Sequence, residues 1–134
     1  MKTILVIDDD NLIVEALSDL FSDQGYRVMS AGNGAEGFSR VEGERPDLVI
    51  TDYMMPVADG IELILTMRAR TEYQSIPVLM ISSAPIASAL SNTQEGAALA
   101  ISAFVRKPFS VEALLDVVAR LIGNGEAEVQ ALAG

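Results

Sequence analysis

The sequence contains no cysteine and no histidine. Disulfide cross-links, thiolate nucleophiles, imidazole bases and the usual zinc sites are therefore excluded. Basic side chains are scarce as well: nine Lys and Arg stand against nineteen Asp and Glu, for a formal net charge of -10. That surplus opposes long-range attraction to nucleic acid or to anionic lipid, so neither DNA, RNA nor a membrane surface is an expected partner. Only Lys2 and Lys107 are lysines. No apolar run approaches the roughly 18 to 20 residues of a membrane helix, and the opening MKTILVID meets an aspartate too early for a secretory signal, so a cytoplasmic location is expected. The chemistry left to the chain belongs to carboxylates, hydroxyls, two lysines and backbone.

What is present is a core-forming composition: 134 residues, 50% hydrophobic and 21% charged. This suits one domain. Thr3 to Ile7 is a continuous apolar run of strand length, as expected of a parallel strand covered on both faces. Leu12, Ile13, Ala16, Leu17, Leu20 and Phe21 recur at helical spacing, with Gly25 as the stop. A second strand is expected over Tyr26 to Ala31, a short helix from Ala35 to Val41, and a third strand over Asp47 to Thr51. A helix from about Ile61 to Arg70 follows a loop holding Pro56 and Gly60, and Ile76 to Ser82 reads as a fourth strand. Ile86 to Ala98 is an expected helix, AFVR around Phe104 a fifth strand, and Val111, Leu114, Leu115, Val118, Leu121 and Ile122 form one apolar stripe with Ser110 as N-cap and Gly123 beyond the end. Residues 1–123 are thus the expected domain and 124–134 a short flexible tail. Strands alternating with helices imply an α/β fold, a parallel sheet with helices on both faces, and ligands bind such sheets at the carboxyl ends of the strands.

Polar residues gather at that rim. The first strand ends in Asp8, Asp9 and Asp10, the third at Asp52, the fourth in Ser82 and Ser83, and the fifth runs through FVRKPF with Lys107. Asp10 or Asn11 has an alternative role as a helix N-cap, since aspartate after a strand often caps the helix that follows. Clustered carboxylates repel unless a cation, a proton or an incoming group relieves them.

From Lys2 to Ile122 this joint pattern resembles the receiver domain of two-component response regulators. The resemblance implies a flavodoxin-like, doubly wound (βα)5 three-layer sandwich with parallel strand order 2-1-3-4-5. It implies Asp52 as the phosphoryl acceptor, with Asp8, Asp9, Asp52 and the backbone carbonyl of Met54 holding Mg²⁺. Ser82 would meet the phosphoryl group, Lys107 would be its ammonium partner, and the Lys107-Pro108 bond would be cis. Phe104 is either plain core or an aromatic switch that turns inward when Ser82 moves. Implied partners are a histidine kinase or histidine phosphotransfer protein as donor, and a downstream protein reached through the face of the fourth helix, fifth strand and fifth helix, in a monomer or a phosphorylation-dependent homodimer. The implied role is a signalling switch and not a turnover enzyme. Because the tail cannot fold alone, output is expected through protein contacts, or the chain is a piece of a longer regulator.

Two departures from the family pattern carry expectations. Leu99 to Ser102 lacks the glycine common before the fifth strand, so the end of the preceding helix is expected to sit differently. Met54 and Ala84 offer no polar group to orient a water, so a comparatively long-lived phosphorylated form is expected. Between Ile86 and Ala103 the only charged residue is Glu95, which allows ordinary low-charge surface or an apolar patch that a partner covers. A Mg²⁺-dependent phosphohydrolase, with Asp8 as nucleophile of a D-x-D motif, is a competing reading, although the threonine usual after such a motif is absent. A degenerate receiver serving only as a scaffold is another. Turnover of a phosphatase substrate separates the first rival, and Mg²⁺ binding the second.

Overall fold

Apolar runs with no polar interruption can be satisfied only inside a sheet covered on both sides, and three such runs occupy its centre. The computed structural model describes residues 1–52, 59–82 and 94–123. The strands are β1 (Thr3–Ile7), β2 (Arg27–Ala31), β3 (Leu48–Asp52), β4 (Val78–Ser82) and β5 (Ala103–Arg106), and the helices are α1 (Asn11–Asp23), α2 (Gly34–Gly43), α3 (Asp59–Ala69), α4 (Gln94–Leu99) and α5 (Val111–Ile122). All strand pairs are parallel, in the order β2-β1-β3-β4-β5. The central β3 and β4 are buried throughout, whereas the edge strands β2 and β5 are only partly covered.

Alternation along each strand divides the core in two. Ile4, Val6, Leu48, Ile50, Leu79 and Ile81 pack with Leu17 and Phe21 of α1 and Leu114 and Val118 of α5. Leu5, Ile7, Val49, Val78 and Met80 pack on the other face with Val41 of α2, Leu63, Ile64 and Met67 of α3 and Leu99 of α4. This is the expected three-layer, doubly wound sandwich. The helix ends follow local chemistry: Asp10, Asn33 and Ser110 accept backbone N–H bonds from Leu12, Glu36 and Ala113, and Gly25 and Gly123 take positive φ of 90° and 85° just beyond α1 and α5.

Several boundaries shift for physical reasons. β4 starts at Val78 and not at Ile76, because the Ile76 N–H is used in a turn to the Tyr73 carbonyl and Pro77 has no N–H to donate. Leu12 and Val111, read as parts of buried stripes, are 76% and 52% exposed, since each sits in the first turn of its helix beyond the edge of the sheet. Ala100 takes φ 49°, the conformation that the missing glycine would supply. Tyr26 precedes β2, its ring edge-on to Phe21 and its hydroxyl donating to the Gly123 carbonyl at 2.7 Å. Tyr26→Phe removes one partly buried hydrogen bond and lowers unfolding stability by about 1 kcal/mol in urea titration; an unchanged midpoint would show that the bond contributes nothing net.

Candidate functional site

The strand order reverses between β1 and β3, and the carboxyl ends of these neighbours carry Asp8 and Asp52. Asp52 is the last residue of β3, lies in register with Ile81 of β4, and is 8% exposed. Its Oδ2 accepts from Lys107 Nζ at 2.9 Å, a contact across 55 positions of sequence. Lys107 is held at the end of β5 by its own N–H, which donates to the Ser82 carbonyl at 2.8 Å, and the Lys107-Pro108 bond is cis as expected. Ser82, the final residue of β4, is buried at the same rim.

The three aspartates after β1 do three different things. Asp8 is buried, and its N–H donates to the Ala31 carbonyl, extending the ladder to β2. Burial pushes its carboxyl from 3.8 up to about 6; the Asp10 N–H, which Asp8 Oδ1 accepts at 2.9 Å, opposes the rise, the Asp52 charge adds to it, Lys107 opposes it, and a hydrogen bond with Asp9 adds a little. Asp9 is exposed. Asp10 is the N-cap of α1, which is the alternative weighed for it from the sequence.

Among the described residues no group of three acidic side chains forms a ready-made metal cage. Mg²⁺ does not require one, since it binds through one or two carboxylates and retains water. The donor set fits: hard oxygens, and in Asp8 a buried carboxyl whose ionised form is disfavoured by burial and by the Asp52 charge. Met54, Ser83 and Ala84 lie outside the described residues, as do residues 86–93 of the helix expected over Ile86 to Ala98 and the 124–134 tail. Phe104 is partly buried against the core on the α2, α3 and α4 side.

Sequence periodicity did not separate the apolar positions that fill the core from those left at the rim. Ile13, Ala16, Leu17, Leu20, Phe109 and Val111 line a groove of about 400 Å³ between α1 and the start of α5, and exposed Leu12 precedes Ile13 on α1. The only available signal was that both stripes extend into the first helical turn.

The fold and the rim are those of a signalling receiver domain, and the comparisons agree. The sequence profile of the response regulator receiver domain matches residues 4–119, and the chain belongs to that family, a signalling family of two-component systems. It is 30% identical over 125 residues to the response regulator MprA of Mycobacterium avium, covering 93% of this chain and 53% of that protein. It is 24% identical over 123 residues to the polar-differentiation response regulator DivK of Brucella anthropi, covering 92% and 98%. Among solved structures, the chemotaxis protein CheY4 of Vibrio cholerae superposes with a TM-score of 0.79 at 32% identity, covering 90% of this chain and 98% of that one. The chain spans about half the length of the first curated relatives it matches. Among the described residues no helix is long and apolar enough to cross a membrane.

Proposed function

We propose that this receiver is a switch in which Asp52 takes a phosphoryl group from a phosphohistidine of a histidine kinase or phosphotransfer protein. The observation that carries this reading is the buried Asp52 carboxylate, with an ammonium group on one oxygen at 2.9 Å and a second buried carboxyl, Asp8, nearby, whose pKa burial raises. An Asp52 oxygen attacks phosphorus, the O–P bond forms as the donor N–P bond breaks, and the imidazole leaves with the electron pair and takes a proton. Lys107 Nζ transfers its contact from the carboxylate to a phosphoryl oxygen, and the Ser82 hydroxyl donates to another. Asp8, Asp9, Asp52 and the Met54 carbonyl would hold Mg²⁺, which when bound neutralises charge between carboxylate and phosphoryl oxygens. Phe104 follows Ser82 inward, and the α4, β5 and α5 face changes its affinity for a downstream protein or for a second copy of the chain.

Residues 1–123 form the receiver domain, supported by the capping of α5 at Gly123, with 124–134 as a tail; the setting is cytoplasmic. Intact-mass spectrometry after incubation with a small acyl phosphate is the test. One phosphoryl group per chain is expected with Mg²⁺ and none with chelator. Uptake in chelator, or none from either acyl phosphate or a phosphohistidine protein, would refute the proposal.

Any protein that presents a phosphohistidine to Asp52 must cover the rim, including exposed Leu12 and Val111 beside the apolar groove. Burying each contributes on the order of 1 kcal/mol. Leu12→Ser combined with Val111→Ser therefore slows transfer from a protein donor by about tenfold, while labelling by acyl phosphate is unchanged. Equal loss with both donors would show damage to the site itself.

A further inference from the structure

Arg68, near the end of α3, has no ion-pair partner among the described residues. Its guanidinium instead bridges two segments. Nε donates to the Leu99 carbonyl at 2.9 Å and Nη2 to that of Ala100 at 3.3 Å, while Nη1 donates to the carbonyls of Gln74 at 3.0 Å and Ile76 at 2.8 Å. Partial burial holds the group below its ordinary pKa. A half-buried cation without a counter-ion needs oriented carbonyl dipoles in place of water, and the planar fork of arginine reaches both segments where a lysine ammonium would not.

Leu99 and Ala100 end α4, where carbonyls lack helical partners. The same turn is strained, because Ala100 holds φ 49° with a Cβ in a region that favours glycine. The chain enters the segment leading to α4 from Ser82 at the phosphoryl-accepting rim, and leaves α4 at the Arg68 clamp. One end of this connection therefore belongs to the site and the other to the clamp.

We propose that Arg68 and Ala100 form an opposed pair that sets the resting position of α4, the clamp holding its carboxyl end in place and the strained turn pushing it away. This rests on the reading of Asp52 as acceptor and of α4 as part of the responding face. Contacts present only in the resting conformer weaken binding of anything that selects the other conformer, and strain present only in the resting conformer strengthens it. The two substitutions therefore act with opposite signs. Arg68→Met releases the clamp and tightens binding of a phosphoryl analogue; Ala100→Gly relieves the strain, deepens the resting state and weakens it.

The test is a titration of the full chain with beryllofluoride in Mg²⁺, followed by backbone amide shifts, on wild type, Arg68→Met and Ala100→Gly, with urea stability measured in parallel. The dissociation constant is expected to fall by at least about threefold for Arg68→Met and to rise by a similar factor for Ala100→Gly. Stability alone cannot decide, because glycine also changes the unfolded chain. Altered stability with one dissociation constant shared by all three proteins would overturn the proposal, showing a pair that is the same in both conformers. If Arg68→Met fails to fold, the sign for Ala100→Gly decides alone. A wild type that binds no beryllofluoride would overturn the acceptor reading and this inference together.

Discussion

Asp52→Asn takes up no phosphoryl group from any donor, with Mg²⁺ present and the fold intact. The amide is nearly isosteric, and its oxygen can still accept from Lys107 Nζ, so the contact at 2.9 Å survives in neutral form. What is lost is the anionic oxygen that attacks phosphorus, since an amide oxygen is a far weaker nucleophile. Lys107 is 27% exposed, so it retains access to water and is not left as a buried unpaired charge. Unfolding stability should accordingly change by no more than about 1 kcal/mol, which circular dichroism and urea titration check beside the intact mass. An adduct of unchanged yield on Asp52→Asn would mean that another carboxylate accepts, and peptide mapping to Asp8 would turn the account toward the aspartate phosphohydrolase alternative.

The second large effect concerns the carboxyl that resists ionising. Asp8 titrates at about 6 in the folded chain against 3.8 as its ordinary value. Between those values the folded chain keeps a proton that the unfolded chain has released, so stability falls as pH rises through this window and the loss is complete above it. The rise from 3.8 to about 6 corresponds to at most about 3 kcal/mol, and screening at the rim lowers the expectation to about 1 to 2 kcal/mol. Asp8→Asn keeps an oxygen to accept the Asp10 N–H and carries no charge. With chelator at about pH 7.5 it should be more stable than wild type by that amount, and the gain should vanish as pH drops toward 4. Added Mg²⁺ should stabilise wild type and much less the variant, because binding to the folded state adds stability by mass action. Urea titrations at two pH values, with and without Mg²⁺, read all of this. A variant less stable than wild type at neutral pH would mean that Asp8 is held by compensating bonds, and its proposed part in metal binding would lose its energetic basis.

The groove test and the acyl phosphate test address different parts of one reading. Labelling by a small acyl phosphate asks only whether the rim can react. Transfer from a protein also asks whether Leu12 and Val111, exposed at the first turns of α1 and α5, belong to a docking surface.

The sequence by itself determined the alternation of strands and helices, the apolar runs TILVI, DLVIT and IPVLMIS as buried strands, the cap at Ser110, and the delivery of Asp8, Asp52, Ser82 and Lys107 to one rim. These follow from periodicity and from residues whose local bonding is complete within a few positions of chain. Only the tertiary structure decided that Asp8 is buried while Asp9 beside it is exposed, that Lys107 reaches Asp52 across 55 positions, and that Leu12 stays outside the core. It also decided that Arg68, one more arginine on a helix when read alone, reaches the turn 31 and 32 positions away where Ala100 stands in place of a glycine. Burial, pKa and long-range pairing depend on which distant segments remove water from a group, and that is a property of the packed chain, which no local pattern of residues encodes.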